Sequence, residues 1–219
     1  MFVARVFTLY PEIFPGPFNQ GLYKKALDKK IWSIVTVNIR DSADDKHKTV
    51  DDTPFGGGSG MVIKPDVIAK SIDENTNKKE KIIYLSPKGK VFNQNIAKKL
   101  SKEKTINLIC GHFEGIDQRF LETRNVEEIS LGDYILSGGE TAVYVLLDSI
   151  VRLLPGVLGN EMSKTDESFE NGLLEYPQYT KPQKWEGKNV PDVLLSGDHV
   201  RIKDWCLSQS EAITRRRRP

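Results

Sequence analysis

Hydrophobic and polar positions alternate from Phe2 to Leu9, and a β-branched run follows at Ile34 to Ile39, so both segments are predicted strands. Between them, Asn19 to Lys30 sets Leu22, Ala26 and Leu27 on one side of a helix and lysines on the other. That is a βαβ unit. Short apolar runs at Met61–Ile63, Ile82–Leu85 and Ile106–Cys110 read as further strands, and helical spacing recurs at Asn93–Ser101 and Gly115–Thr123. The alternation predicts an α/β fold whose mostly parallel sheet is covered on both faces. Thr141 to Leu154 is apolar nearly all round, which predicts a buried helix, and Pro155-Gly156 is its stop signal.

In sheets of this kind ligands sit beyond the carboxyl ends of the strands. Glycine-bearing segments occupy that position at Tyr84–Gly89, Cys110–Asp117 and Leu131–Glu140. In the last of these, Gly132, Gly138 and Gly139 permit a positive φ or a close backbone approach, with Tyr134, Ile135 and Leu136 supplying apolar bulk among them. A tight turn would explain any one such glycine. Together, the loops read as a wall around a small molecule. Neither a G-x-G-x-x-G nor a G-x-x-x-x-G-K-[ST] pattern follows a strand, which favours a ligand without phosphates.

A separate cluster, Asp51 to Met61, packs Gly56, Gly57, Gly58 and Gly60 beside Pro54 and Phe55. Its amides suit the approach of a phosphodiester backbone and its ring suits stacking on a base; a flexible linker is the plainer alternative. Arg215 to Arg218 places adjacent guanidiniums where phosphates would relieve their repulsion, whereas the lysines around Lys24, Lys78 and Lys98 read as solvated faces.

Composition narrows the class. The 219 residues are 38% hydrophobic and 28% charged, with a net charge of +2, an ordinary balance for one substantial core and a small second module. No apolar run reaches the roughly 18 residues of a membrane span, and the amino terminus lacks a basic region followed by a cleavable apolar stretch, so no membrane partner is expected and the expected location is cytoplasmic. Cys110 and Cys206 match no metal or redox spacing, and His47 and His112 have no companion at ligand spacing, so no metal site built from side chains is expected.

The segments LSPKG, ICGHFEGIDQR, EISLGDYILSGGE, RLLPGVLG and SFENGLLEYPQYTKP, taken in order, closely resemble the successive signatures of the bacterial tRNA (guanine-N1)-methyltransferase family, TrmD, of the SPOUT superfamily. The resemblance runs from the first strand to Arg217. It implies methyl transfer from S-adenosylmethionine to N1 of the guanosine immediately 3′ of the tRNA anticodon. It also implies a SPOUT fold whose sheet carries a deep trefoil knot, which general topology rules would argue against. By the same resemblance the cofactor is held at Tyr84, Leu85, Ser86 and Pro87, at Gly111, Glu114 and Gly115, and at Leu131, Gly132, Asp133, Tyr134, Ile135 and Leu136, with Gly138 and Gly139 close by. The tRNA contacts fall on Phe55, Gly57, Gly58, Ser59, Lys181, His199 and Arg215. Residues 1–159 become the knotted catalytic domain, 160–171 a flexible linker and 172–219 a small helical tRNA-binding domain. Family members are homodimers with active sites built from both chains. A Mg²⁺ requirement is reported for the family and cannot be read from these residues.

The reaction assigns the remaining roles. Guanine N1 holds its proton with a pKa of about 9, a figure from base chemistry, so a carboxylate general base is needed at neutral pH. Charge then spreads to O6, where a guanidinium stabilises the transition state more than the ground state. The resemblance puts the arginine at Arg152. It puts the base at Glu167, where the family usually has aspartate, with Asp166 as the runner-up; an unbiased reading makes both acidic residues of a mobile, solvated linker. Other departures are Phe55 for tyrosine, Ser59 for proline and Lys181 for arginine, and the sequence ends at Pro219, just after a basic run that many relatives follow with further helix; tRNA affinity is what these put in question. After the linker, YPQYTKP reads as irregular and VPDVLLSGDH as a turn region. Val200–Ser210 reads as a helix packed by Trp205 and Leu207, with Ser196 to His199 as its cap and His199 equally suited to a phosphate. The rival readings are a SPOUT ribose 2′-O-methyltransferase and a non-catalytic tRNA-binding module.

Overall fold

Strand β1 (Phe2–Thr8) sends Phe2, Ala4 and Val6 into one apolar cluster and Phe7, with Leu9 beyond it, into another. That split follows from the two-residue period of a strand, and it requires covered surface on both faces. A computed structural model describes residues 1–158, 169 and 172–218 and supplies that cover. With β1 lie β2 (Trp32–Asn38), β5 (Lys81–Val91), β6 (Thr105–Cys110) and β7 (Glu127–Ser130). They form a five-stranded sheet in the order β2-β1-β6-β5-β7, with every pairing parallel. A separate antiparallel pair joins β3 (Asp51–Asp52) to β4 (Val62–Ile63).

On one face pack α1 (Gly21–Asp28), α3 (Gln94–Leu100) and α5 (Gly139–Val151); on the other pack α2 (Pro65–Asn75) and α4 (Gln118–Thr123). The expected βαβ opening is present, with Ala26 buried and Leu22 and Leu27 packed against the same core. Asn93 caps α3 by accepting from the Ile96 amide. Helix α4 begins later than its apolar spacing suggests, because Asp117 caps it and residues up to 116 are drawn toward β4, where Ile63 bridges Ile116. Helix α5 begins earlier than expected, at Gly139, and ends at Val151, where Arg152 caps it.

The chain divides into two compact units, Met1–Leu158 and Gly159–Pro219. Within the second unit, β8 (Lys184–Trp185) and β9 (Lys188–Asn189) form an antiparallel ribbon. The stretch read as turn contains a short helix, α6 (Asp192–Leu195), which Pro191 admits at its start. Helix α7 (His199–Arg217) runs well past Ser210, and Asp198 caps it by accepting from the Val200 and Arg201 amides. The tail stays helical because Thr214 is tied in at both ends: its hydroxyl donates to the Ser210 carbonyl and accepts from the Leu174 amide. Trp205 packs near Tyr179, with ring centroids 6.3 Å apart, but Leu207 is 53% exposed, which corrects its assignment as a packing residue.

At the sheet's amino-terminal edge Arg5 Nη1 donates to Glu80 Oε2 at 2.8 Å and to Asn107 Oδ1 at 2.6 Å. Asn107 in turn donates to Glu80 and to the Lys81 carbonyl. Burial pushes the Glu80 carboxyl up, but hydrogen bonds from Asn107, Arg5 and Asn77 outweigh it and hold the group below its ordinary 4.5. A depressed carboxyl adds stability that is full above its unfolded value and is lost as pH falls through its folded value. Arg5→Met is therefore expected to lower stability at pH 7 by about 1.5–3 kcal/mol, the usual worth of hydrogen bonds to a charged group. The gap between variant and wild type should narrow below pH 4.5 in urea melts followed across pH.

Candidate functional site

The site lies at the carboxyl ends of three adjacent strands, β6, β5 and β7. Strand β5 does not simply end there. Leu85 and Lys90 both stand opposite Ile129, so Ser86 to Gly89 leave the ladder as an excursion and the strand then resumes. This corrects the picture of Tyr84–Gly89 as a terminal turn. Pro87 has no N–H to give the ladder, and Ser86 Oγ accepts from the Lys88 amide instead. At Gly89 a Cβ would stand 2.4 Å from the backbone of Glu128 and Ile129, so only glycine lets the strand return this close to β7.

After β6 the chain turns at once. A side chain on Gly111 would stand 2.6 Å from the Tyr84 ring, and Gly115, at φ +119, closes a turn back to the His112 carbonyl. This loop is stitched to β4: the Glu114 amide donates to the Met61 carbonyl and the Ile63 amide to the Gly115 carbonyl. The third segment follows β7, where Ser130 Oγ accepts from the Gly132 amide and Gly132 takes φ +148. Gly138 and Gly139 are there for closeness, not for a positive φ. A Cβ on Gly138 would meet the His112 ring at 2.4 Å, and one on Gly139 would meet Cys110 Cα at 2.6 Å. The Gly139 amide donates to the Gly111 carbonyl at 3.0 Å, fastening the start of α5 to the end of β6.

Beneath this junction lies a polar cluster that pattern reading missed. Thr8 Oγ1 donates to Glu140 Oε1 at 2.5 Å, and His112 Nε2 lies 2.9 Å from both Glu140 oxygens. The His112 and Glu140 side chains are only 12% and 7% exposed. A carboxylate only accepts, so Nε2 carries the hydrogen. The cluster ties β1, the post-β6 loop and α5 to one carboxylate. Burial and then the Glu140 charge push the Cys110 thiol well up, so it is an inert core group, not a nucleophile. Burial, with Glu128 beside it, likewise pushes the Tyr84 hydroxyl up to about 12.

Together the segments enclose a cavity of about 380 Å³, within the roughly 300–1,000 Å³ of small-molecule sites. Tyr84–Pro87, Gly111, Glu114, Gly115, Leu131, Gly132, Tyr134–Leu136, Gly138 and Gly139 all line it. Asp133 is exposed and stands outside the lining. His112 and Phe113, inside the loop expected to hold the donor, line it as well, and so does Glu128, which was not singled out from the sequence. The first two lie inside the CGHFEGID segment; Glu128 belongs to β7, whose charged opening hid the strand. Glu128 Oε2 is buried and, among the described residues, has no hydrogen-bond partner. Among those residues no group of three or more His, Cys, Asp or Glu side chains could hold a metal ion, and no helix is long and apolar enough to cross a membrane.

The other described residues expected at a site are not part of this lining. Arg152, at the far end of α5, is not in the lining; thirteen positions after Gly139 put it about 20 Å along the helix axis. Burial pushes the neighbouring Asp148 carboxyl up, and Arg152 pulls it down. Phe55 is 98% exposed, on a loop where Gly57 and Gly58 take positive φ and Ser59 is exposed. Lys181 is exposed, His199 opens α7, and Arg215 lies in that helix's last turn. Glu167 and Asp166, with the rest of the expected linker except residue 169, lie outside the described residues.

Comparison with known proteins adds three findings. The family model described as tRNA (Guanine-1)-methyltransferase TrmD matches residues 2–219. A tRNA (guanine-N(1)-)-methyltransferase of Pelagibacter ubique is 71% identical over 219 residues, spanning 100% of this chain and 96% of that protein. Proteins of the same name from Bartonella henselae and Wolbachia pipientis are 56% and 52% identical, each over 100% of this chain and 94% of their own length.

The helix–strand junction makes a steric prediction. Gly139→Ala keeps helical backbone but drives a methyl into Cys110, and should cost roughly 1–3 kcal/mol in urea melts, the usual range for overpacking. It should weaken small-molecule binding at the cavity as well. Gly57→Ala is strained by its backbone φ of +80 but meets nothing within 4 Å and lies outside the cavity lining, so it should leave that binding unchanged.

Proposed function

The chain belongs to the tRNA (guanine-1)-methyltransferase TrmD family, and from that membership we propose that it methylates N1 of the guanosine immediately 3′ of the tRNA anticodon, with S-adenosylmethionine as donor. The observation that carries this reading is the cavity itself: turns from three adjacent strand ends, bearing the residues expected to hold the donor, enclose one space of suitable size. The wall also fits the donor's chemistry. It is largely apolar, it carries the carboxylates of Glu114 and Glu128 near which a cationic group is favoured, and the buried Glu128 Oε2 lacks a hydrogen-bond donor among the described residues. When bound, the donor supplies an electrophilic methyl on a sulfonium.

In this reading the chain's residues orient, dry and deprotonate. The stiff turns hold donor and acceptor in line, which is where most of the gain in a displacement of this kind arises. Tyr84 stays protonated through the working pH range and acts as a hydrogen-bonding wall group. Glu167 takes the proton from guanine N1, with Asp166 as the alternative base, and Arg152 stabilises the charge that develops on O6. Phe55, Gly57, Gly58 and Ser59, with Lys181, His199 and Arg215 of the second unit, contact the tRNA. No residue is assigned to Mg²⁺.

Two further features belong to the proposal. A homodimer resolves the position of Arg152: a helix that serves one pocket with its first turn presents its last turn to the pocket of a second copy. Val145, an apolar side chain 49% exposed on α5, supports such pairing. A trefoil knot in the SPOUT manner is supported by the route of the chain, which leaves β7 at the sheet's edge and returns past β5 to fasten Gly139 on Gly111. A soluble, cytoplasmic homodimer completes the picture.

Methyl transfer is tested on an unmodified tRNA with guanosine directly 3′ of the anticodon and on one lacking it, the product atom being mapped by nuclease digestion and mass spectrometry. Transfer to N1 of the first alone is expected; a ribose 2′-O-methyl product contradicts the reading. Arg152→Ala should lower kcat by roughly 10²–10³ and Glu167→Gln by roughly 10²–10⁴, with donor affinity by calorimetry unchanged. Wild-type turnover in Glu167→Gln would move the base to Asp166 or elsewhere.

A further inference from the structure

In the second unit the β8–β9 ribbon is only two residues long on each side, yet its geometry is well defined. Glu186 and Gly187 connect the strands with φ of +48° and +79°. Two consecutive left-handed residues are the mark of the tight two-residue hairpin turn whose twist matches its strands. The Val190 amide donates to the Gln183 carbonyl at 2.9 Å and extends the ladder beyond the tip. Register sets Trp185 directly opposite Lys188, and directly opposed residues share one face of a ribbon. So a tryptophan and an ammonium stand side by side on a stiff tip.

Trp185 is 63% exposed, whereas Trp32 is 1% exposed and Trp205 is partly covered. A ribbon this short has no interior in which to bury an indole. Its surroundings are basic: between Tyr179 and Asn189 the lysines are Lys181, Lys184 and Lys188, against the single acid Glu186. An open aromatic face beside cations is the recognition chemistry of unpaired nucleic acid, in which a base stacks on the ring and the next phosphate meets the charge.

We propose that the β8–β9 hairpin is an RNA contact in which the Trp185 indole stacks on an unpaired base of the substrate and Lys188 meets the adjoining phosphate. This rests on the reading of the chain as a tRNA methyltransferase and adds to it a stacking residue. Because the hairpin is exposed and buries nothing, changing these residues removes contact without removing core.

The test uses the full chain and an unmodified tRNA transcript with guanosine 3′ of the anticodon. Trp185→Ala should weaken tRNA binding roughly 5- to 100-fold, the range for loss of one base stack, and raise the KM for tRNA with kcat and donor affinity unchanged. Trp185→Phe, which keeps a ring, should recover most of the loss. Lys188→Gln should lower the slope of log affinity against log salt by about 0.7, the value for one single-strand phosphate, while Trp185→Ala leaves the slope unchanged. Wild-type tRNA affinity in Trp185→Ala overturns the proposal and leaves the methyltransferase reading standing. A changed molar mass of Trp185→Ala by light scattering also overturns it, because the ring would then be covering a second copy of the chain. Absence of methyl transfer by the wild-type protein would instead remove the reading beneath it.

Discussion

The close approach of two backbones, the first turn of α5 against the last residue of β6, is the constraint on which the candidate site depends. It exists because Gly139 carries no side chain: a Cβ there would lie 2.6 Å from Cys110 Cα. With that contact made, the Gly139 amide reaches the Gly111 carbonyl and Glu140 is delivered into the interior. A buried carboxylate is costly unless its oxygens are satisfied, and Thr8 and His112 satisfy them from two other elements. The polar cluster thus converts one steric allowance into a three-way tie. It also fixes the spacing between the turns that wall the cavity.

Much of this architecture was legible because burial imposes period. Strand β1, the helix at α1 and the all-round apolar α5 are each read from their hydrophobic rhythm, and the carboxyl-end rule then locates the wall loops. The rest was hidden for identifiable reasons. Strand β7 opens with Glu127-Glu128 and lies at the sheet's edge, so half of it carries no apolar signal. Strands β8 and β9 are too short for any period, and the left-handed Glu186 gives no glycine cue at its position. The pairing of His112 with Glu140 spans 28 positions and is a product of topology, not of local sequence. Gly138 and Gly139 were marked correctly as special, but contact distances were needed to show that the need is for closeness.

The two ends of α5 divide the labour of the proposed chemistry. Its first turn builds the pocket, while Arg152 stands about 20 Å along the axis, so one chain does not bring its proposed arginine to its own cavity through this helix. A second copy makes the geometry economical, since one helix then contributes to two sites. Whole-chain similarity shows the family, and the cavity supplies a space of small-molecule size at the carboxyl ends of β6, β5 and β7.

The most direct test of the central claim is amide hydrogen exchange of the intact protein with and without S-adenosylmethionine. New protection concentrated in Tyr84–Gly89, Gly111–Ile116 and Leu131–Gly139 is the result expected if these turns hold the donor. Binding that leaves all of them unprotected, or protection centred away from the carboxyl ends of β5, β6 and β7, would contradict the account.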